Sequence, residues 1–374
     1  MSDGRPTCAW IDLAALAHNW AIARRAAGDR RVIAVVKADA YGHGAAVVAR
    51  RLLREGCDGF AVATASEVAA LRAAGVDAPV LLLDGVHGAA DARTALALGA
   101  TPVLHDEAMR VAVEEAAASL GRRARVHVEV DTGMRRLGVP EREAADLIAR
   151  VAASRHLALE GVSTHFARAD EPDPAPTRAQ AAGLARVLDQ IARRGIEPGL
   201  VHLANSAGLL GAAVWEDLLP SGAVRPGVML YGVAPAPQFA SAGLRPVMTL
   251  ATAVVAIRRV GEGEGVGYAA VWRAPRSGWV ATLPMGYADG VPWSLGRPSA
   301  GGTVLLAGRS RPIVGRISMD LITVWLEDDA VELGEPAILF GAGAPVETLA
   351  AAAGTIAYEV LVRVPARVPR MPIG

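Results

Sequence analysis

The feature that most constrains this chain is a unit repeated through its first 235 residues: a short β-branched run, a small turn, then a stretch with 3.6-residue apolar spacing. Predicted strands fall at Arg31–Lys37, Gly59–Ala63, Pro79–Asp84, Thr101–His105, Arg125–Asp131, Leu157–His165, Leu200–Asn205 and Val224–Tyr231. Helical spacing fills the gaps, as in Ala45–Glu55, Glu107–Leu120, Glu141–Arg155 and Thr177–Arg194. Strand-then-helix units favour a parallel sheet, and eight of them favour an α/β fold with a closed (β/α)8 TIM-type barrel over a doubly wound sheet. The sequences of the units are not themselves repeated, so this is no solenoid.

After Tyr231 the segment VAPAPQFASAGLRP reads as a linker. Beyond it come short alternating runs: Met248–Val260, Gly278–Leu283, Gly302–Leu306, Pro312–Ser318, Leu321–Leu326 and Pro336–Phe340. Glycine and proline punctuate them, which predicts a mostly β C-terminal domain. The expected division is 1–235 for the barrel and 236–374 for the β domain. The DEPDPAP segment after Phe166 carries three prolines and reads as a long connection or a lid.

Bulk properties narrow the function classes. A formal charge of zero gives no global field for nucleic acid or an anionic membrane. The first residues lack the basic, apolar and small-residue regions of a signal peptide, and no apolar run reaches about 18 residues. Cys8 and Cys57 match no metal or redox spacing, and no metal is expected. A cytoplasmic protein is the default expectation.

The composition holds one pointed fact: of 38 basic residues, a single one is lysine, Lys37. Arginine stays protonated and cannot form an imine, whereas a lysine amine can attack a carbonyl. Lys37 sits at the end of the first predicted strand, in VIAVVKADAYGHG, where barrels build their active sites. It could also merely cap that strand by pairing with Asp39. Tyr41 and the Gly42-His43-Gly44 turn follow it. The other strand ends are polar too. The fifth gives Glu129 and Asp131, then Arg135-Arg136; the sixth gives Ser163, Thr164 and His165. The seventh gives His202, Asn205 and Ser206, and the eighth Arg225-Pro226-Gly227. Any one could be a satisfied core residue, but a merely stabilising core has no use for so many polar groups at one rim. In the last two units, Ser206 and Gly227 fall where barrels often bind phosphate. In the C-terminal part, three of the chain's five tyrosines lie in short polar or glycine-bearing segments: GVGYAA with Tyr268, GYADG with Tyr287, and TIAYE with Tyr358.

Taken in order, AVVKADAYGHG, VDTGM with RLG, STHFARAD, HLANSAG, AVRPGVMLYG, GVGYAA, GYADG, GRISMD and TIAYE resemble the alanine racemase family, fold-type III pyridoxal-phosphate enzymes. The resemblance spans nearly the whole chain. It implies an isomerase that interconverts L- and D-alanine with pyridoxal 5'-phosphate, as a homodimer in which each second domain completes the partner's site. It further implies that Lys37 holds the cofactor and is one catalytic base, with Tyr268 of the partner subunit the other. Arg225 would hydrogen-bond the pyridine nitrogen, and His165 would link Tyr268 to Arg225. Tyr41, Ser206, Gly227, Val228 and Tyr358 would hold the phosphate, with Asn205 beside them. Arg136 and the backbone of Met319 would meet the substrate carboxylate, supported by Glu129, Asp320 and Tyr287.

Three positions depart from the family pattern. Glu129 stands where a lysine, often carbamylated, is common, and is expected to supply a carboxylate paired with Arg136. Arg135 precedes Arg136 where a small or neutral residue is usual, so either arginine could face the substrate. Trp293 replaces a common arginine at the substrate entrance, which leaves open a broader racemase acting on serine or a larger amino acid. A non-catalytic pyridoxal-phosphate carrier is the alternative of another class. Such carriers are barrels alone, and the second domain argues against it.

Overall fold

The computed structural model describes residues 4–297 and 299–374. Eight parallel strands close into a barrel: Arg31–Val35, Gly59–Val62, Val80–Leu82, Ala100–Leu104, Ala124–Asp131, Leu157–Ser163, Leu200–His202 and Ala223–Val224. Each pairs in parallel with the next. The ring closes where Ala223 meets Arg31, and the fourth strand passes to the fifth at Val103 opposite His127. Seven of the eight predicted strands match within a few residues, because a strand buried on both faces reads as a short continuous apolar run. Phe60, Val62, Leu82, Leu104 and Val128 are fully buried in that core.

Local chemistry starts the helices where it should. Asp106 accepts from the Met109 amide at 2.7 Å to open Glu107–Ser119. Thr64 and Glu67 form a reciprocal capping box before Ala65–Ala73. In the DEPDPAP connection, the chain turns helical at Ala175, and Pro176 sits in the first turn of Ala175–Ala192.

The second unit is a nine-stranded sheet ordered Ala256–Val260, Gly278–Leu283, Ile322–Glu327, Arg309–Val314, Thr303–Leu306, Pro336–Phe340, Met248–Ala253, Cys8–Asp12 and Arg370–Ile373. Two outer members of this sheet come from the ends of the chain. Cys8–Asp12 pairs antiparallel to Met248–Ala253 and parallel to Arg370–Ile373. The first strand, placed with the barrel by the sequence division, is thus built into the β sheet. Helix Val346–Ala353 packs on strand Pro336–Phe340, and helix Ala357–Val362 packs between that helix and the Lys37–Tyr41 turn of the barrel. The linker is pinned rather than loose: Asn19 Nδ2 donates to the carbonyls of Leu230 and Arg245, and Asn19 Oδ1 accepts from the Arg245 amide at 2.8 Å.

Four sequence expectations need correction. The eighth strand is only Ala223–Val224, because Pro226 has no amide to donate to a ladder. Val228–Tyr231 instead forms a 3-10 turn. Met248–Val260 is two strands, broken where Val254 donates to Glu335 and Val255 to Thr282. The Pro312–Ser318 run is shifted: the strand is Arg309–Val314, and Gly315 at φ 73° ends it. Lys37 lies just past its strand and opens a short helical turn.

Candidate active site

At the C-terminal mouth of the barrel a cavity of ≈ 550 Å³ is lined by Lys37, Tyr41, Glu129, Arg136, His165, Asn205, Ser206, Arg225, Gly227, Val228 and Tyr358, among others. Every barrel residue that the sequence marks as cofactor-binding meets here, and Tyr358 joins from helix Ala357–Val362 of the same chain.

The lysine is presented by an unusual backbone. Ala38, Asp39, Ala40 and Tyr41 all take left-handed φ values, between 51° and 55°. A left-handed residue other than glycine costs roughly 1–2 kcal/mol, so four together persist only where surrounding bonds over-determine them. Those bonds are present. Ala38 N–H donates to Glu67 Oε1 at 2.6 Å, Ala45 N–H to Asp39 Oδ1 at 2.7 Å, and Ala40 N–H to the Val36 carbonyl at 2.8 Å. Asp39 therefore serves the turn rather than pairing with Lys37. The reversed turn carries the Tyr41 ring under the cavity, where it stacks on Tyr231 with centroids 4.8 Å apart. The Tyr231 hydroxyl donates to the Val35 carbonyl at 2.9 Å, tying the stack back to the first strand.

Opposite Tyr41 lies a bare backbone. A Cβ on Gly227 would stand 2.5 Å from the Tyr41 hydroxyl, so only glycine leaves this space. Ser206 Oγ accepts from the Gly227 amide at 2.9 Å and from the Met229 amide at 3.3 Å, which joins the seventh and eighth βα loops. Asn205 caps the short turn that begins at Ser206 by accepting from Gly208 N–H at 2.9 Å. Burial raises the Tyr41 phenol above its ordinary range and pushes Tyr358 up to about 12. Both hydroxyls stay protonated at neutral pH and remain available as donors.

Arg225 is buried in the mouth. One guanidinium nitrogen donates to the Thr164 carbonyl at 2.8 Å and approaches His165 Nδ1 at 3.3 Å; the other contacts His202 Nδ1. Burial draws its pKa down and the Glu129 carboxylate pushes it back up. His165 is lowered to about 3 by burial first, then by the cations Arg225, Arg136 and Lys37, so it is neutral. Glu129 is buried and lines the cavity with Arg136, but among the described residues no ion pair within 4.0 Å joins them. The expected Glu129–Arg136 pair is not formed; the Glu129 charge is felt at Arg225, where it opposes the effect of burial. The two arginines are placed differently. Arg135 adopts φ 56° with its side chain 74% exposed, and Asp131 takes its guanidinium at 3.3 Å. Arg136 lines the cavity.

Tyr268, Tyr287, Met319 and Asp320 are not in this cavity. Tyr268 is 69% exposed on a 3-10 turn, and Met319 and Tyr287 are exposed as well. The two loops that carry the latter pair pack on each other: Tyr287 N–H donates to Ser318, and Ala288 N–H to Met319. Asp289, fully buried, clamps them by accepting from Arg5 at 2.7 Å, Arg367 at 2.7 Å and the Gly286 amide at 2.8 Å. Asp320 pairs with Arg367 at 2.6 Å. Trp293 borders a second depression with Tyr287, Gly290 and Arg363, so a cation stands beside the position where the family's arginine was missed.

Residues 11–235 match the family model "Alanine racemase, N-terminal domain", and residues 247–372 match "Alanine racemase, C-terminal domain". The chain belongs to the alanine racemase family. It is 39% identical to an alanine racemase of Geobacter sulfurreducens over 99% of this chain and 97% of that one. It is 42% identical to an alanine racemase of Azoarcus sp., with 96% and 97% covered. The crystal structure of alanine racemase from D-cycloserine-producing Streptomyces lavendulae superimposes with a TM-score of 0.93 at 34% identity, covering 100% of this chain and 98% of that one. A barrel with a mostly β second domain is therefore the family's fold as well as this chain's.

Sequence reasoning missed Tyr231, His43 and His127 as supports of the mouth. Their one visible signal is the placement of a polar or aromatic side chain on an otherwise aliphatic barrel strand or turn.

Proposed function

We propose that this chain is a pyridoxal-phosphate-dependent alanine racemase that works in the cytoplasm as a homodimer. The observation that carries the reading is the convergence, in one cavity, of the only lysine, a buried arginine and three hydroxyl donors around a glycine backbone. The donor set suits the cofactor. Tyr41, Ser206 and Tyr358 with the Gly227–Val228 backbone offer neutral donors in a space that a Cβ would fill, as a phosphate needs. Lys37 offers the only primary amine on a side chain in the whole sequence.

When bound, pyridoxal phosphate acidifies the α-C–H of an amino acid joined to it by taking the resulting negative charge into its ring. The remaining work falls to the protein. Lys37 would hold the cofactor through its amine, and that amine, set free when the amino group of the substrate takes its place, would remove or return the α-proton on one face of the substrate. Tyr268 of the partner subunit does the same on the other face, so that a proton leaves one side and another arrives opposite. Arg225 would donate to the ring nitrogen of the cofactor; a guanidinium does not give up its proton, so that nitrogen would stay unprotonated and side reactions would be restrained. His165, neutral and 3.3 Å from Arg225, would link that arginine to Tyr268 of the partner subunit. Arg136 and the Met319 backbone of the partner subunit hold the substrate carboxylate, with Glu129, Tyr287 and Asp320 in support.

The exposure of Tyr268, Met319, Tyr287 and Ile356 supports a dimer. A two-fold partner covers these side chains and lets each second domain supply the other's mouth. No helix among the described residues is long and apolar enough to cross a membrane.

The test is a substrate panel on the purified full chain with added pyridoxal phosphate. Loss of optical rotation and α-deuterium exchange are followed for alanine, serine, arginine and lysine. Rapid turnover of alanine with the others near background supports the reading. Equal or faster turnover of a larger amino acid overturns the alanine assignment in favour of a broad racemase, which the exposed Trp293 beside Arg363 would accommodate.

A further inference from the structure

Behind Arg225 a file of buried polar side chains runs down the inside of the barrel to its opposite end. Arg225 contacts His202 Nδ1, and His202 Nε2 meets His127 Nδ1 at 2.7 Å. The far edge of His127 then faces the Glu160 carboxylate, with Nε2 and Oε2 3.8 Å apart. That separation is longer than a formed hydrogen bond, so the carboxylate acts on this edge through its charge. Arg225, His202 and His127 are at most 3% exposed, whereas the Glu160 side chain is 38% exposed. Glu160 and His127 line a cavity of ≈ 450 Å³ at the barrel floor, with Arg31, Asp58, Thr101 and Arg125.

The direction of every proton along this file is forced. A guanidinium only donates, so His202 Nδ1 must accept. His202 then carries its proton on Nε2 and donates it to His127 Nδ1. His127 in turn carries its proton on Nε2, pointing at Glu160. Reversing any one ring sets two N–H groups against each other, so the two histidines can flip only together, and a flip would present an N–H to Arg225. The fold makes room for the arrangement: Gly161 on the sixth strand is bare where a Cβ would collide with the His127 ring. A register irregularity between Val126 and His127 accompanies it.

We infer that His127 and Glu160 are positioning residues for the active site, setting through His202 the orientation of Arg225 from the opposite end of the barrel. The inference rests on the proposed cofactor reading only where it concerns the consequence for cofactor binding; the tautomers are a property of the chain alone.

The experiment uses the full chain labelled with [15N]histidine, without and with pyridoxal phosphate, as wild type, Glu160→Leu, Glu160→Gln and His127→Gln. In the unloaded wild type, the resonances of His127 and His202 should be those of the Nε2–H tautomer and should not titrate between pH 8 and 6. An Nδ1–H tautomer, or ordinary titration near pH 6.5, overturns the proposal. Glu160→Leu removes the charge that faces the lower end of the file. It should displace the His202 and His165 resonances, alter the absorbance of the bound cofactor, and weaken cofactor binding and kcat roughly tenfold, with KM for alanine little changed. Glu160→Gln removes the charge at nearly the same size and should reproduce most of this loss, which a role confined to packing would not do; wild-type cofactor affinity in Glu160→Gln overturns the proposal. Wild-type cofactor affinity and absorbance in Glu160→Leu overturn the proposal even with the expected tautomers. Should Glu160→Leu fail to fold, unaltered cofactor absorbance in His127→Gln overturns it equally. If the wild type binds no pyridoxal phosphate, the proposed function fails, while the tautomer result still decides the relay.

Discussion

Acidification below pH 7 should destabilise the unloaded protein before any carboxylate is protonated. Burial holds three histidines far below the usual range, His43 to about 4, His165 to about 3 and His202 well below it, and His127 is lowered as well. In the unfolded chain each returns to about 6.5. The folded values are the lower ones, so below pH 6.5 the unfolded state binds protons that the native state refuses. Stability is fully present above pH 6.5 and is lost as pH falls towards the folded values. Linkage gives about 1.4 kcal/mol per unit of pH for each histidine once the unfolded chain is protonated. Integrated from pH 7 to 5.5, three histidines contribute a loss on the order of 4 kcal/mol, a large part of the 5–15 kcal/mol that holds a typical domain together. The assay is urea unfolding of the unloaded chain at constant ionic strength, in half-unit steps from pH 8 to 5.5. The expected result is a slope approaching three protons taken up on unfolding at pH 5.5. A slope below one proton would refute the reasoning, because at least two of these rings would then be charged in the native barrel.

Four further outcomes follow from the site. Gly227→Ala should press on the Tyr41 hydroxyl, which the Tyr231 stack prevents from yielding; cofactor affinity should fall ten- to a hundredfold for the loss of one charged hydrogen bond, about 1.5–3 kcal/mol, read by fluorescence titration. An unchanged dissociation constant would exclude this cradle. Lys37→Arg should abolish covalent attachment, seen as loss of the borohydride-reducible adduct, with the circular dichroism spectrum retained. Tyr268→Phe should slow α-deuterium exchange from one alanine enantiomer far more than from the other, and equal slowing would count against two bases. Asp289→Asn should lower stability by about 3 kcal/mol, because it unbalances a fully buried carboxylate held by Arg5 and Arg367. It should also raise KM for alanine, since the loops it clamps carry Tyr287 and Met319; a KM within twofold of wild type would sever that link.

The barrel was legible because strands buried on both faces write apolar runs, and the helices between them carry capping residues such as Asp106 and the Thr64–Glu67 pair. Illegible parts have physical reasons. Cys8–Asp12 and Arg370–Ile373 are strands only because they add to the edge of a sheet formed elsewhere, and tertiary pairing of that kind leaves little local trace. The left-handed turn from Ala38 to Tyr41 has no glycine to announce it; Glu67 and Asp39 hold it by bonds to the backbone. Glu129 shows how far pattern alone goes. Its sequence position suggested a partner for Arg136, yet its charge bears on Arg225, which lies three strands away in sequence order and across the barrel mouth in space.

The same closure explains why one rim residue could be read and its support could not. Along the fifth strand, His127 and Glu129 are two apart and share the inward face, since side chains alternate on a strand. Glu129 reaches the mouth and so resembles a site residue, while His127 lies one layer below and resembles packing. Barrel interiors are commonly filled by branched aliphatic layers. Burying an imidazole there carries a desolvation penalty unless both ring nitrogens are matched. His127 is matched on one edge by His202, which contacts Arg225, and the other edge faces a carboxylate open to water. A polar residue in this layer is therefore best read with the arginine above it, as one connected group whose proton directions are decided at the cation.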